Sequence, residues 1–258
     1  MGDSNNSDRR FGGLARLYGF SGAQRIRGAH VAVIGVGGVG SWAVESLARS
    51  GVGRLTLIDL DHVAESNINR QIHAVEATVG QAKVLAMRDR IHSFNPACDV
   101  TCIEEFVEPA NWPALLPEGI TAVIDACDQV QAKTSMADWA RKTQSLFISV
   151  GAAGGKRQAH LVEISDMALT THDPLLAQVR YRLRKEHGAP REGKKINVPC
   201  VFSREAVQLP DASCEVEMDG TLNCHGYGSV VSLTATFGHC AAGWIFDQIA
   251  SEALKLKK

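Results

Sequence analysis

The chain has no C-x-x-C pair. Its seven cysteines, Cys98, Cys102, Cys127, Cys200, Cys214, Cys224 and Cys240, are odd in number and scattered. That argues against a four-thiolate zinc site or a disulfide framework, and for reduced thiols in a cytoplasmic setting. The chain also has no excess of charge: 27 Lys and Arg against 28 Asp and Glu leave a net charge of −1. Nucleic acid cannot be held by overall charge, so any polyanion must meet a local basic patch. No apolar leader opens the sequence, where Gly, Asp, Ser, Asn and Arg predominate, and secretion is not expected. A long apolar run is missing too. The best approximation, Val230 to Ile245, is interrupted by His239 and small polar residues, with Asp247 close behind. It falls short of the ~20 uninterrupted apolar residues of a membrane span. It reads as a buried core helix with no stable membrane insertion; peripheral association of the C-terminal helix stays open. There is no internal repeat and no low-complexity tract.

What is present is a large apolar fraction, 45% of 258 residues, enough for a sizeable α/β core. One stretch organises it. Val31 to Ile34 is apolar without alternation, as expected of a central parallel strand buried on both faces. Gly35, Gly37 and Gly40 follow at G-x-G-x-x-G spacing, which permits a tight turn and lets the backbone approach a phosphate at the start of the next helix. The pattern implies a nucleotide but no particular activity.

The following segments add chemistry. Leu55 to Leu60 is a second strand, and Asp59 lies about 20 residues beyond the glycines, where a ribose hydroxyl would be held. Asp61 is either part of that site or a solvated turn residue. Asn67, Asn69 and Gln71 bracket Arg70, and Lys83 stands at the start of a helix running through Ile91. Two cations are thus expected near the phosphate loop, where a plain dehydrogenase has little need of them. Ala122 to Asp128 is another buried strand, and its end should face the same crevice. A carboxylate beside a polyphosphate is repelled unless a divalent cation intervenes, so Asp128 implies Mg²⁺; capping of the helix near Gln131 is the alternative. Strands are further expected at Asp99 to Ile103, at Leu146 to Val150 and at Gln158 to Ile164. Residues 1 to 9 are expected to be a flexible leader, Phe11 to Tyr18 an apolar arm, and Gln24 to Gly28 a short helix. Arg180 to Lys195 holds Arg180, Arg182, Arg184, Arg191, Lys185, Lys194 and Lys195. It is either a solvated face with a mobile loop or a patch that tracks RNA phosphates.

Taken together, Gly35 to Gly40, Asp59-Leu60-Asp61, Asn67 to Gln71, Gly80 to Lys83 and Asp125 to Asp128 resemble the ubiquitin-activating-enzyme-like (ThiF-type) superfamily. The resemblance implies a Rossmann-like doubly wound, mostly parallel sheet in a single α/β domain. Its parts would be an arm at 1–28, a nucleotide-binding half at 29–165 and a substrate and dimer half at 166–258. It implies ATP and Mg²⁺, with Gly35, Gly37, Gly38 and Gly40 against the nucleotide and Asp59 and Asp61 on the ribose side. Asn67, Asn69 and Gln71 would orient it, Arg70 and Lys83 would neutralise the triphosphate, and Asp128 would hold the metal. Arg70, Lys83 and Asp128 would be catalytic. A homodimer is implied, with an arginine reaching the partner's nucleotide; Arg16 is the candidate, and Arg9 and Arg10 compete.

Carrier-protein adenylyltransferases of this superfamily have two C-x-x-C pairs for zinc, which this chain lacks, so no structural zinc is expected. Arg10 to Gly19, Asn69 to Ala74, Cys200 to Ala206 and Thr234 to Gly238 instead resemble its tRNA threonylcarbamoyladenosine dehydratase branch. That resemblance implies ATP-dependent cyclisation of N6-threonylcarbamoyladenosine beside the tRNA anticodon, through adenylation of its carboxylate. It leaves room for a cysteine desulfurase and sulfur-acceptor pair as partners. Cys200 and Cys224 are thiols without an assigned role; a thiol in a glycine-flanked turn such as Cys224 is either a nucleophile or structural. The alternative is activation of the C-terminal glycine of a ubiquitin-like sulfur-carrier protein. A non-catalytic scaffold and a nicotinamide-dependent dehydrogenase remain as further readings.

Overall fold

The computed structural model describes residues 3–191, 193–211, 213 and 227–251. The expected central strand is β1 (His30–Ile34), with all five residues buried. It pairs in parallel with β2 (Arg54–Ile58) on one side and β4 (Ala122–Asp125) on the other. Beyond these lie β3 (Asp99–Ile103), β5 (Phe147–Val150), β7 (Pro199–Ser203) and β6 (Val162–Asp166), in the order β3-β2-β1-β4-β5-β7-β6. Only β6 runs antiparallel, against β7 at the edge. This is the mostly parallel α/β sheet that the sequence predicts.

The side-chain period of two divides each strand between two cores. Val31 and Val33 face one layer, with α2 (Gly40–Arg49), α3 (Lys83–Phe94) and the last helix, α6 (Val231–Ala250). Ala32 and Ile34 face the other, with α4 (Val130–Thr143) and α5 (Pro174–Glu186). Burial on both faces is why β1 shows no alternation. Helix α6 presents Leu233, Phe237, Ala241, Ala242, Ile245 and Ile249 to the core, as expected of Val230 to Ile245. No helix among the described residues is long and apolar enough to cross a membrane.

Three local expectations differ. Residues 3–28 form one helical stretch, α1 (Asp3–Gly28), broken at Gly19, where φ is +72, so the segments expected as leader, apolar arm and short helix are helical from residue 3 on. The Phe11 ring packs where a Cβ on Gly51 would lie, and Arg10 donates to the Phe94 carbonyl, tying the arm to the ends of α2 and α3. Tyr18 donates to Asp247, and Arg25 to the carbonyls of Ile249 and Ala250, tying it to α6. Second, 159–161 is a 3-10 turn, and the strand begins only at Val162; it does not alternate in burial, since Ile164 is exposed and its neighbours are half-buried, as befits a sheet edge. Third, Arg180 is not part of a free cation run, because its guanidinium donates to Met167 O and to Thr170.

Candidate active site

The chain crosses from β3 on one side of β1 to β4 on the other, and ligands of open α/β sheets bind at that switch, beyond the strand ends. A cleft of about 450 Å³ opens there. Its floor is the glycine loop. Gly35 turns with φ +82, and a Cβ on it would come within 2.9 Å of the Ala126 carbonyl; one on Gly40 would collide with the Gly35 carbonyl. No side chain caps α2, so the position ahead of the helix is open to an anion. Gly238 lets α6 cross tightly over this loop, since a Cβ there would sit 2.5 Å from Val39 O. One turn earlier on α6, Thr234 reaches the cleft.

Asp59 is 8% exposed at the end of β2, and accepts from the Val36 amide at 2.6 Å and the Asp61 amide at 2.9 Å. It therefore braces the glycine loop directly. Burial raises its pKa, against a smaller opposing pull from Lys83. Lys83 Nζ lies 2.7 Å from Asp61 Oδ2, and the Asp61 side chain is 53% exposed, so a ligand phosphate can compete for this lysine. Arg70 lies against Gly38; its guanidinium donates to Ser66 O at 2.7 Å and to Asn69 Oδ1 at 2.9 Å, and its carbonyl accepts from the Trp42 indole. Gln71 is buried beside Gly37, and its Oε1 has no partner among the described residues. Asn67 is buried and accepts from the Ala64 amide.

Asp128 lines the cleft just beyond β4. It does not cap α4: the N-cap is Gln129, without a side-chain bond, and among the described residues Asp128 accepts only from the Gln129 side-chain amide, at 3.3 Å. Among the described residues no group of three or more His, Cys, Asp and Glu could cage a metal. A single carboxylate with substrate phosphates is nonetheless how Mg²⁺ is usually held, so Asp128 fits that ion when a polyphosphate is present.

The far wall is built on two fully buried pairs. Asp125, ending β4, contacts Lys133 Nζ at 2.9 Å and accepts from the Ser149 hydroxyl at 2.6 Å. Burial pushes Lys133 toward neutrality, but the charge and hydrogen bond of the adjacent Asp125 carboxylate, with smaller contributions from Cys127 and Cys200, outweigh this together and its pKa is raised. Beyond β5, Asp173 accepts from the Ala152 amide at 3.0 Å and the Leu176 amide at 2.9 Å, with Lys156 Nζ 3.9 Å away. It thereby fixes both the 151–153 loop and the first turn of α5, where Leu175 reaches the cleft.

Residues 11–252 match the ThiF family. A tRNA threonylcarbamoyladenosine dehydratase of Haemophilus influenzae is 40% identical over 251 residues, 96% of each chain. The chain belongs to the ThiF family. Two structures of the Escherichia coli tRNA N6-threonylcarbamoyladenosine dehydratase share its fold. The AMP complex has a TM-score of 0.87 at 40% identity, covering 96% of each chain. The ATP complex has 0.86 at 39%, covering 96% of this chain and 97% of that one. A molybdopterin-synthase adenylyltransferase of Escherichia coli is 36% identical over 123 residues, 48% of this chain.

In this ThiF-family chain the cleft brings together Gly35, Gly37, Gly38, Asp59, Asp61, Asn67, Arg70, Gln71, Lys83 and Asp128, all anticipated from sequence. Three expected residues lie outside its lining. Gly40 closes the turn beneath it, Asn69 donates to Ser229 O while accepting from Arg70, and Arg16 is exposed on α1. Cys200 is buried in β7, and burial raises its thiol pKa well above the ordinary value, which disfavours the thiolate a nucleophile needs. Cys224 lies outside the described residues. Sequence reasoning missed Lys133, Lys156, Asp173, Leu175 and Thr234. Asp125 stood inside a recognised motif, but nothing local marks Lys133 as its partner.

Proposed function

We propose that this protein is an ATP-dependent dehydratase of N6-threonylcarbamoyladenosine in tRNA, acting by adenylation of the threonylcarbamoyl carboxylate. The carrying observation is that the loop glycines, Asp59, Arg70, Lys83 and Asp128 meet in one cleft, in a chain related end to end to such dehydratases. The glycine loop and the start of α2 take the phosphates, and Asp59 takes the ribose. Arg70 and Lys83 stabilise charge developing on the phosphoryl oxygens as a carboxylate oxygen attacks the α-phosphorus and pyrophosphate leaves. A nitrogen or oxygen of the urea-like group then attacks the activated carbonyl, closing the ring and expelling AMP; the net change on the nucleoside is loss of water. When bound, Mg²⁺ at Asp128 would neutralise phosphate charge. Burial of Cys200 supports a scheme without a thioester at that residue. A homodimer belongs to the same reading: Arg16 is exposed and outside its own cleft, as an arginine reaching a second copy's nucleotide would be.

The test is direct. With ATP, Mg²⁺ and threonylcarbamoylated tRNA, the protein should release AMP and lower the nucleoside mass by one water. Unchanged nucleoside mass alongside a competent control enzyme sinks the proposal. Carrier-protein adenylation is the weaker reading: the adenylyltransferase likeness covers about half the chain. Carrier-dependent pyrophosphate exchange without tRNA would revive it.

A further inference from the structure

Helix α5 leaves the cleft with two distinct faces. Leu175, Leu176, Val179 and Leu183 are buried in the core, and Asp173 pins the first turn to the cleft wall. On the opposite side Gln178, Tyr181 and Lys185 are exposed, at i, i+3 and i+7, with Arg182 half-buried beside them. Tyr181 is 61% exposed, and Lys185 Nζ stands 5.5 Å from its ring centroid. Tyr181 lies six residues on from Leu175, roughly 9 Å along the axis at 1.5 Å per residue, on the helix whose first turn reaches the cleft.

The cations of this run are divided by what they already bind. Arg180 is committed to the carbonyls of Met167 and Thr170, and Arg184 to that of Pro190. Among the described residues Arg182 has only a 4.0 Å contact with Glu186, and Lys185 is exposed. An exposed aromatic ring flanked by available cations is the arrangement that holds single-stranded nucleic acid, with the ring stacking a base and the cations meeting its phosphates.

We propose that the outer face of α5, with Tyr181 as a stacking platform and Arg182 and Lys185 as phosphate contacts, receives the single-stranded RNA flanking the reacting adenosine. The inference rests on tRNA being the substrate. Charge complementarity and continuity with the cleft favour RNA over a second protein copy.

The probe is purified tRNA carrying threonylcarbamoyladenosine, titrated at several salt concentrations. Tyr181→Ala should weaken binding about tenfold with the salt slope unchanged, and Tyr181→Phe should restore affinity. Arg182→Ala with Lys185→Ala should reduce the slope by ~1.4 units. ATP affinity, thermal midpoint and sedimentation should match wild type in all three. Wild-type RNA affinity in Tyr181→Ala, or affinity lost only as a dimer dissociates, overturns the inference while leaving the dehydratase reading intact. Wild-type protein that does not bind this tRNA overturns both.

Discussion

Lys83 and Lys133 make ion pairs of nearly equal length, 2.7 Å to Asp61 and 2.9 Å to Asp125, near the ends of β2 and β4, the strands on either side of β1. They differ in the partner's access to water. Asp61 is 53% exposed, whereas both side chains of the Lys133 pair are fully buried. In the first pair water can solvate the carboxylate if the lysine turns to a phosphate, so the bond can be exchanged for a ligand. In the second, neither charge has anywhere else to go, and the pair fixes where β4 ends. Similar pairings thus serve as a site in one place and as scaffold in the other.

The largest effect should come from breaking the scaffold pair. Lys133→Met leaves the Asp125 carboxylate buried beside only hydrogen-bond donors, at a cost of about 3–5 kcal/mol. Chemical denaturation measures this, and adding Asp125→Asn should recover part of it; a midpoint equal to wild type would refute the distinction. Lys83→Ala should behave oppositely. ATP–pyrophosphate exchange should fall ~100-fold, or about 3 kcal/mol, as one cation leaves the transition state, while the thermal midpoint stays close to wild type.

His73, 2% exposed, sharpens the contrast from a neutral group. Both ring nitrogens lack a hydrogen-bond partner among the described residues. Burial, helped by Lys83 and Arg90, lowers its pKa from 6.5 to about 4. Between those values the unfolded chain takes up a proton that the folded chain does not, so stability present at pH 7 is lost as the pH falls from 6.5 to 4. At pH 5 the loss is about 2 kcal/mol. Denaturation midpoints of wild type and His73→Phe at pH 7 and 5 measure it, and parallel losses in the two proteins would count against the buried neutral imidazole. The smallest effect belongs to Arg88, paired with Asp89 at 3.0 Å with both side chains well exposed. Arg88→Ala should change stability by no more than about 0.5 kcal/mol; a cost above 1 kcal/mol would mean that exposure is not what separates these pairs.

Legibility in the sequence followed locality. Gly35 to Gly40, Asp59 and Lys83 could be read because a turn, a strand end and a helix start each impose a residue type within a few positions. The Asp128 capping alternative was open in the sequence because Asp128 lies close ahead of a helix; the backbone decided it by starting α4 one residue later, after Gln129. Thr234 stood in a recognised segment without a role, since only the crossing of α6 over the glycine loop, which Gly238 permits, brings it to the cleft.

The sequence by itself determined the apolar strands, the phosphate loop and the cations that serve it, because periodicity and turn chemistry are written in neighbouring residues. Only the tertiary structure decided which charges pair and which remain available. Asp173 meets Ala152 across 21 residues, and Asp125 meets Ser149 across 24. It also divided the cations of 180–195, because a guanidinium such as that of Arg180 is committed or free according to which carbonyls the fold brings within its reach.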